Sequence, residues 1–246
     1  MSTLILALTA GAVVGLVLGG LGGGGSVLAV PAMIYLLGFS PVAATTASLI
    51  IVVVTSLTGL LAHARDGNVR WGPGLLFAAA GIPPALLGGA TAGEIPAPVL
   101  TAAFSVIAAL AAWRMLRPGP PPRQSAGPVK AAGAGAGLGA LTGLLGVGGG
   151  FLAVPALLSV LGLRMKAAVG TSLLVITVNS LAALLTRAHT ADGLDWAVLA
   201  PFAGTAVLGA WDGKRLAAKL PAQRLQRLFA HVLLAVAAFM LLHTLI

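Results

Sequence analysis

Twelve residues of this chain occur twice, and the rest of the sequence has to be arranged around that fact. The first copy is Gly22-Gly23-Gly24-Gly25-Ser26-Val27-Leu28-Ala29-Val30-Pro31-Ala32-Met33, and the second is Gly146-Val147-Gly148-Gly149-Gly150-Phe151-Leu152-Ala153-Val154-Pro155-Ala156-Leu157. Each is a glycine run that opens into a short apolar segment with a proline inside it. The likeness extends well beyond these stretches. Displacement by 124 residues, without a gap, matches 24 of the 51 positions from Gly11 to Leu61. Gly11, Gly15 and Gly19 fall on Gly135, Gly139 and Gly143, while Ser48-Leu49 and Ser56-Leu57 fall on Ser172-Leu173 and Ser180-Leu181. After Trp71 and Trp196 the copies drift, though Gly89-Ala90-Thr91-Ala92-Gly93 still echoes Gly209-Ala210-Trp211-Asp212-Gly213. The chain is an internal duplication.

Composition decides where such a chain can fold. Hydrophobic residues make up 59% of the 246, charged residues only 8%, and the mean hydropathy is +1.06. Soluble domains carry roughly a quarter charged residues, so this chain lacks the polar surface of a water-exposed globule. It reads as an integral membrane protein. Its net charge of +9 sits in a few short loops and is no nucleic-acid footprint. There is no cysteine, hence no disulfide and no thiolate metal site. The start, Met1-Ser2-Thr3-Leu4, lacks the basic flank of a secretory signal peptide, so the first apolar stretch is expected to stay in the protein.

Apolar segments bounded by turn signals read as helices, because a lipid-embedded backbone must satisfy its own hydrogen bonds. Ten are expected: 4–20, 26–38, 42–62, 73–91 and 97–115 in the first half, then 131–146, 150–162, 166–187, 195–211 and 222–245. The proline-rich stretch 118–130 separates a first transmembrane repeat (1–117) from a second (131–246). The fold class is therefore all-α and polytopic. At about 1.5 Å per residue the short second segments fall well below a hydrocarbon core of about 30 Å, so they are expected to be half-helices.

Lys and Arg collect on the cytoplasmic side of short loops. Alternating the ten segments with the proline linker inside leaves 13 of the 14 basic residues cytoplasmic and only Arg187 outside. Both termini are then outside. An odd number of crossings per repeat inverts the second copy. Three crossings plus a re-entrant hairpin would also be odd. Either way the halves are expected to be related by a pseudo-two-fold axis in the membrane plane, an architecture associated with secondary transporters.

The chemistry available to such a chain is sparse. Gly20 to Gly25 formally fits a dinucleotide pattern, but it follows an apolar helix and not a strand. Gly11, Gly15 and Gly19, with their counterparts in the second half, form small-residue stripes suited to close helix packing. The runs themselves are denser than packing requires. Gly24, Gly25 and Ser26, with Gly148, Gly149 and Gly150, are read as peptide N–H donors at half-helix starts, where the dipole favours an anion. Thr46, Ser48, Thr171, Ser172 and Asn179 would complete that shell from the third segments, although hydroxyls there can equally bond back to their own helix. No catalytic constellation, metal-ligand spacing or cofactor motif is visible, so neither an enzyme nor a cofactor is expected. His63 and its repeat counterpart Arg187 read as interfacial anchors, and Trp71, Trp113, Trp196 and Trp211 as an aromatic belt.

The doubled G-x-G-G-G-x-L-x-V-P pattern, fuller in Gly146 to Pro155 and looser in Gly22 to Pro31, resembles the sulfite exporter TauE/SafE family of membrane transporters. Ala168-Val169-Gly170-Thr171-Ser172 also resembles that family's third-segment motif, where the first copy reads Ala44-Thr45-Thr46-Ala47-Ser48. The resemblance covers essentially the whole chain. It implies a multi-pass bacterial plasma-membrane protein that moves a sulfur-containing oxyanion, sulfite or an organosulfonate. The expectation is export by alternating access around a midplane site where the two glycine-rich starts converge; the alternative is a passive anion channel of the same fold. The partners expected are that small anion and membrane lipid, without nucleic acid, and a homo-oligomer is compatible with both.

Overall fold

A computed structural model describes residues 2–22, 24–91, 96–117, 127–145, 150–187 and 194–245. Among these residues the protein is all-α, without a strand. The helices are α1 (Ser2–Leu21), α2 (Gly24–Pro31), α3 (Pro41–Arg65), α4 (Trp71–Thr91), α5 (Ala97–Leu116), α6 (Pro128–Leu145), α7 (Gly150–Val160), α8 (Met165–Leu185), α9 (Trp196–Ala218) and α10 (Ala222–Leu245). A π-helical turn, Ala32–Leu36, extends α2. The expected half-helices are present: α2 has 8 residues and α7 has 11, so α7 reaches only about 16 Å. The linker expected over 118–130 lies outside the described residues up to 126, and its last residues already form the first turn of α6.

Among the described residues, five helices are long and apolar enough to cross a membrane: α1, α3, α4, α8 and α10. Trp71 and Trp196 open α4 and α9, Trp113 sits near the end of α5, Trp211 lies inside α9 next to its charged Asp212–Arg215 stretch, and all four side chains are exposed, as an aromatic belt requires.

Local signals explain where the short helices stop. Both are followed by a left-handed glycine, Gly38 (φ 72°) and Gly162 (φ 62°), conformations that an L side chain rarely tolerates. The next residue then closes the end in the same way in each copy, Phe39 N–H to the Met33 carbonyl and Leu163 N–H to the Leu157 carbonyl. Ser40 caps α3, its Oγ accepting from Ala43 N–H at 3.3 Å, and Pro41 supplies a first-turn residue that needs no donor.

The packing repeats itself across the two halves. Helix α1 packs most extensively on α9, and its counterpart α6 on α4. A Cβ on Gly11, Gly15 or Gly19 would collide with the backbone of Phe202, Ala206 or Ala210. In the other half Gly135, Gly139 and Gly143 meet Phe77, Gly81 and Ala85 in the same way. The glycine stripes are therefore contact surfaces, which lets dispersion and Cα–H contacts act where no hydrophobic force drives association. Both pairs advance in step, so α1 runs parallel to α9 and α6 parallel to α4.

These contacts also correct one sequence pairing. Phe77, Gly81 and Ala85 correspond to Phe202, Ala206 and Ala210, a displacement of 125 residues. In this register Gly88 matches Gly213: a Cβ on Gly88 would meet Ala140 and Leu144, and one on Gly213 would meet Leu16 and Gly20. The echo of Gly89 in Gly209 is thus coincidental. One residue has been added between the third and fourth helices of the second half.

The third helices form the centre. Of the five candidate spans, α8 and α3 are the most buried, and they pack directly on each other. They run antiparallel. Ser56 bonds Thr177 across the interface, while further along α3 His63 lies against Gly170.

Candidate functional site at the crossing of the two central helices

The two central helices α3 and α8 carry buried polar side chains in an otherwise apolar bundle: Ser56 and Thr177 meet across their interface, whereas Thr171 and Asn179 lie against Gly74 and Gly81 of α4. Thr46, Ser48, Thr55 and Ser56 on α3 are buried, as are Thr171, Ser172, Asn179 and Ser180 on α8. A buried polar group without a partner costs about 1–3 kcal/mol, so the accounting of partners separates structural residues from available ones.

Most of the hydroxyls are engaged. Thr55 Oγ1 donates to the Ile51 carbonyl at 2.6 Å, and Thr177 Oγ1 to the Leu173 carbonyl at 2.7 Å, as hydroxyls in apolar helices do. Ser56 and Thr177 share a hydrogen bond of 2.8 Å between the two helices. Thr46 and Ser48 also have partners.

Among the described residues, both amide atoms of Asn179 and the Ser180 hydroxyl are buried with no hydrogen-bond partner within the protein, while the His63 ring lies beside the Gly19 backbone. Asn179 is 1% exposed and Ser180 0%. The repeat explains why. Asn179 corresponds to Thr55, which satisfies itself on its own helix; an amide cannot do the same. The antiparallel register that pairs Ser56 with Thr177 sets Ser180 across from Val53, where the first copy offers no hydroxyl. Asn179 and Thr55 also mark the level at which the two equivalent helices cross, the centre of the bundle.

Helix α8 positions the first glycine run. Ser172 Oγ donates to the Gly22 carbonyl at 2.6 Å. Gly22 is left-handed (φ 68°), and a Cβ there would meet Val169 and Ser172. Ser172 lies two helical turns from Asn179, about 10 Å along the axis. The first run therefore begins off the centre of the bundle. Gly24, Gly25 and Ser26 then form the first turn of α2, and Gly150 that of α7. Gly148 and Gly149 lie outside the described residues, and with them the convergence expected of the two runs.

The geometry now stands beside known proteins. A profile described as sulfite exporter TauE/SafE matches residues 7–240. A probable membrane transporter protein of Xylella fastidiosa strain Temecula1 is 33% identical over 249 aligned residues, covering 97% of this chain and 95% of the relative. A protein of the same description from strain 9a5c is 32% identical with the same coverage. The chain belongs to the TauE/SafE sulfite exporter family. It is a membrane transporter.

Within this TauE/SafE chain, the Ala168–Ser172 motif acts through the backbone. Gly170 leaves room for the Asn68 carbonyl, and Thr171 Oγ1 accepts from Arg70 N–H at 3.0 Å. Together they seat the loop between α3 and α4, while Ser172 seats the first glycine run. Of the expected shell, among the described side chains, Asn179 alone combines burial with an unsatisfied side chain.

Two residues read as interfacial anchors have a different place. His63 is 7% exposed, beside Gly19 near the end of α1. Arg187 donates from Nη2 to the Gly143 carbonyl at 2.9 Å, near the end of α6. His63 and Arg187 are repeat counterparts, as are Gly19 and Gly143, so each reaches the helix end that leads into a glycine run. Burial overrides the interfacial reading because both side chains turn inward.

Lys214 was not singled out by sequence. Its Nζ contacts Asp66 Oδ2 at 2.8 Å and donates to the Ala62 carbonyl at 2.6 Å, tying α9 to the end of α3 beside His63. The hydrogen bond from Lys214 holds the Asp66 carboxyl below its ordinary pKa. The signal was available only through the register: Lys214 corresponds to Gly89 once the added residue is recognised.

Proposed function

We propose that this transporter exports a small sulfur-containing oxyanion, sulfite or an organosulfonate, by alternating access across the bacterial plasma membrane. The observation that carries the reading is the unsatisfied Asn179 amide in the middle of α8, facing Gly81 of α4, with the free Ser180 hydroxyl one residue on. Their unmet hydrogen-bonding capacity suits a polar solute that comes and goes.

The architecture behind the proposal is an inverted repeat. Antiparallel packing of the equivalent helices α3 and α8, and parallel packing of α1 with α9 and of α6 with α4, are what a two-fold axis in the membrane plane requires. The loop charges then put both termini outside and the proline linker in the cytoplasm. In this scheme Gly24, Gly25 and Ser26 receive the anion from one side, and Gly148, Gly149 and Gly150 from the other. Ser172 ties the start of the first run, at the Gly22 carbonyl, to α8. Asn179, Ser180 and the Thr46, Ser48 and Thr171 turns line the passage between the runs. Rocking of one half against the other opens the two ends in turn. An anion held by dipoles and hydroxyls, with no fixed charge at the centre, is bound weakly enough to leave.

Proteoliposomes loaded with sulfite or with taurine-like sulfonates test this directly. Saturable efflux above protein-free vesicles, accelerated by the same anion on the opposite face, is the expected result. Absence of flux for every sulfur oxyanion overturns the substrate class. Flux without saturation or exchange overturns alternating access.

A further inference from the structure

The bundle has two lateral crevices that the duplication makes equivalent, and they differ in one chemical respect. The first, about 550 Å³, lies between α1, α2 with its π-helical turn, and α10; the second, about 850 Å³, lies between α6, α7, α5 and the start of α10. Their walls correspond residue by residue. Ala10, Leu28 and Pro31 of the first match Ala134, Leu152 and Pro155 of the second.

The departures lie at the mouth. In the first crevice Tyr35 and Phe239 meet edge to face, ring centres 5.6 Å apart. Their counterparts in the second are Ser159 and Arg114. The aromatic closure is therefore missing, and a guanidinium stands in its place. Arg117 and Arg164 line the same crevice, at positions that are Leu242 and Ser40 in the other half. No charged residue lines the first crevice.

None of the three arginines forms an ion pair among the described residues. All are exposed, and Arg117 is held over the Trp113 ring at 3.5 Å, a side chain expected at headgroup depth. Below them the walls are apolar, with Leu138, Leu141, Leu152 and Leu158. Gln226, at the mouth, is fixed by its bond to the Met115 carbonyl at 2.9 Å.

We infer that this second crevice is a binding site for one anionic phospholipid. The phosphate lies among Arg114, Arg117 and Arg164, and an acyl chain fills the apolar floor. Charge complementarity selects a phosphate, and the apolar floor selects a lipid over a free anion, which would find no partner there. Unpaired basic side chains over a greasy cleft between helices match this chemistry; a purely solvated basic loop would need no cleft.

The test uses the full-length protein in nanodiscs of equimolar phosphatidylglycerol and phosphatidylcholine, with lipid retained after extraction counted by native mass spectrometry. Wild type is expected to retain one phosphatidylglycerol in preference to phosphatidylcholine. At about fivefold per cation at a membrane surface, the double variant R114Q/R164Q should lose about 30-fold of that preference. Its circular dichroism should match wild type, since both side chains are exposed. A second variant, L138W, keeps all three arginines and fills the floor; it should lose the lipid too. No preference in wild type, or a preference that survives R114Q/R164Q, overturns the inference. So does displacement of the lipid by millimolar sulfite or inorganic phosphate, which would make the crevice a soluble-anion site. Transport plays no part in the readout, so failure here leaves the export reading untouched.

Discussion

Replacing Asn179 with leucine separates a structural amide from a functional one. The side chain is 1% exposed and neither amide atom has a partner. It lies against Gly81, where even a Cβ would come within 2.6 Å of the amide nitrogen. Leucine has the same number of side-chain heavy atoms and branches at the same atom, so it leaves no cavity, although its methyl groups are bulkier than the amide. The change removes an unsatisfied buried polar group, which costs about 1–3 kcal/mol, and no hydrogen bond is lost in exchange. At about 2–4 °C per kcal/mol for a chain of this size, the unfolding midpoint should rise by about 2–12 °C. Tryptophan fluorescence on heating in detergent measures it. Sulfite efflux from proteoliposomes should meanwhile fall by at least about tenfold, since one lost polar contact of about 1.4 kcal/mol already gives that factor. Gain of stability with loss of flux is the signature of a polar group kept for function. A lower midpoint in a folded protein would mean that the amide has a structural partner after all. Unchanged flux would take Asn179 off the path, and either result refutes the reasoning.

Three further outcomes follow from the packing. Gly139→Val should destabilise by about 3 kcal/mol or more, because its side chain collides with the Gly81 backbone; Gly133→Ala, with nothing within 4 Å of the new methyl, should be neutral or gain up to about 1 kcal/mol. Arg187→Met removes the donor to the Gly143 carbonyl and should cost about 1.5–3 kcal/mol in thermal unfolding, the range for a hydrogen bond to a charged group. Asp66, whose pKa is lowered chiefly by the Lys214 hydrogen bond, contributes stability above its unfolded pKa, lost as pH falls through the lowered folded value. The pair is half exposed, so the effect is held to about 1 kcal/mol or less, and Lys214→Met should abolish that acid-side slope in midpoint against pH.

The duplication made most of the fold legible. Gly15 and Gly139 are placed by the small-residue stripe alone, and the structure sets each against a backbone in the other half. The half-helices follow from segment length and from Gly38 and Gly162, whose left-handed turns stop them at matching points. What sequence could not reach was side-chain direction. His63 at the end of a span can snorkel outward or turn inward, and only the nearby Gly19 and Lys214 decide it. The same limit applies to the hydroxyls. Thr171 and Ser172 read as passage-lining residues, yet their hydroxyls hold the Arg70 amide and the Gly22 carbonyl. Asn179 escaped this ambiguity because an amide has too many hydrogen-bonding atoms to satisfy on its own helix.

The two halves pack alike, so the places where they differ in sequence are what makes the two faces of the bundle chemically unequal. Thr55 satisfies itself while Asn179 does not. Val53 leaves Ser180 unpaired where Thr177 bonds Ser56. His63 approaches the end of α1 beside a Lys214–Asp66 pair, whereas Arg187 brings its own charge to the end of α6. The fixed positive charge thus enters from α9 at one end and from just past α8 at the other. A symmetric duplication would offer a solute the same environment from both faces. These substitutions make the faces unequal while keeping the backbone contacts equal. Each face of the path can then be tuned without disturbing the glycine-to-carbonyl packing on which both halves rely.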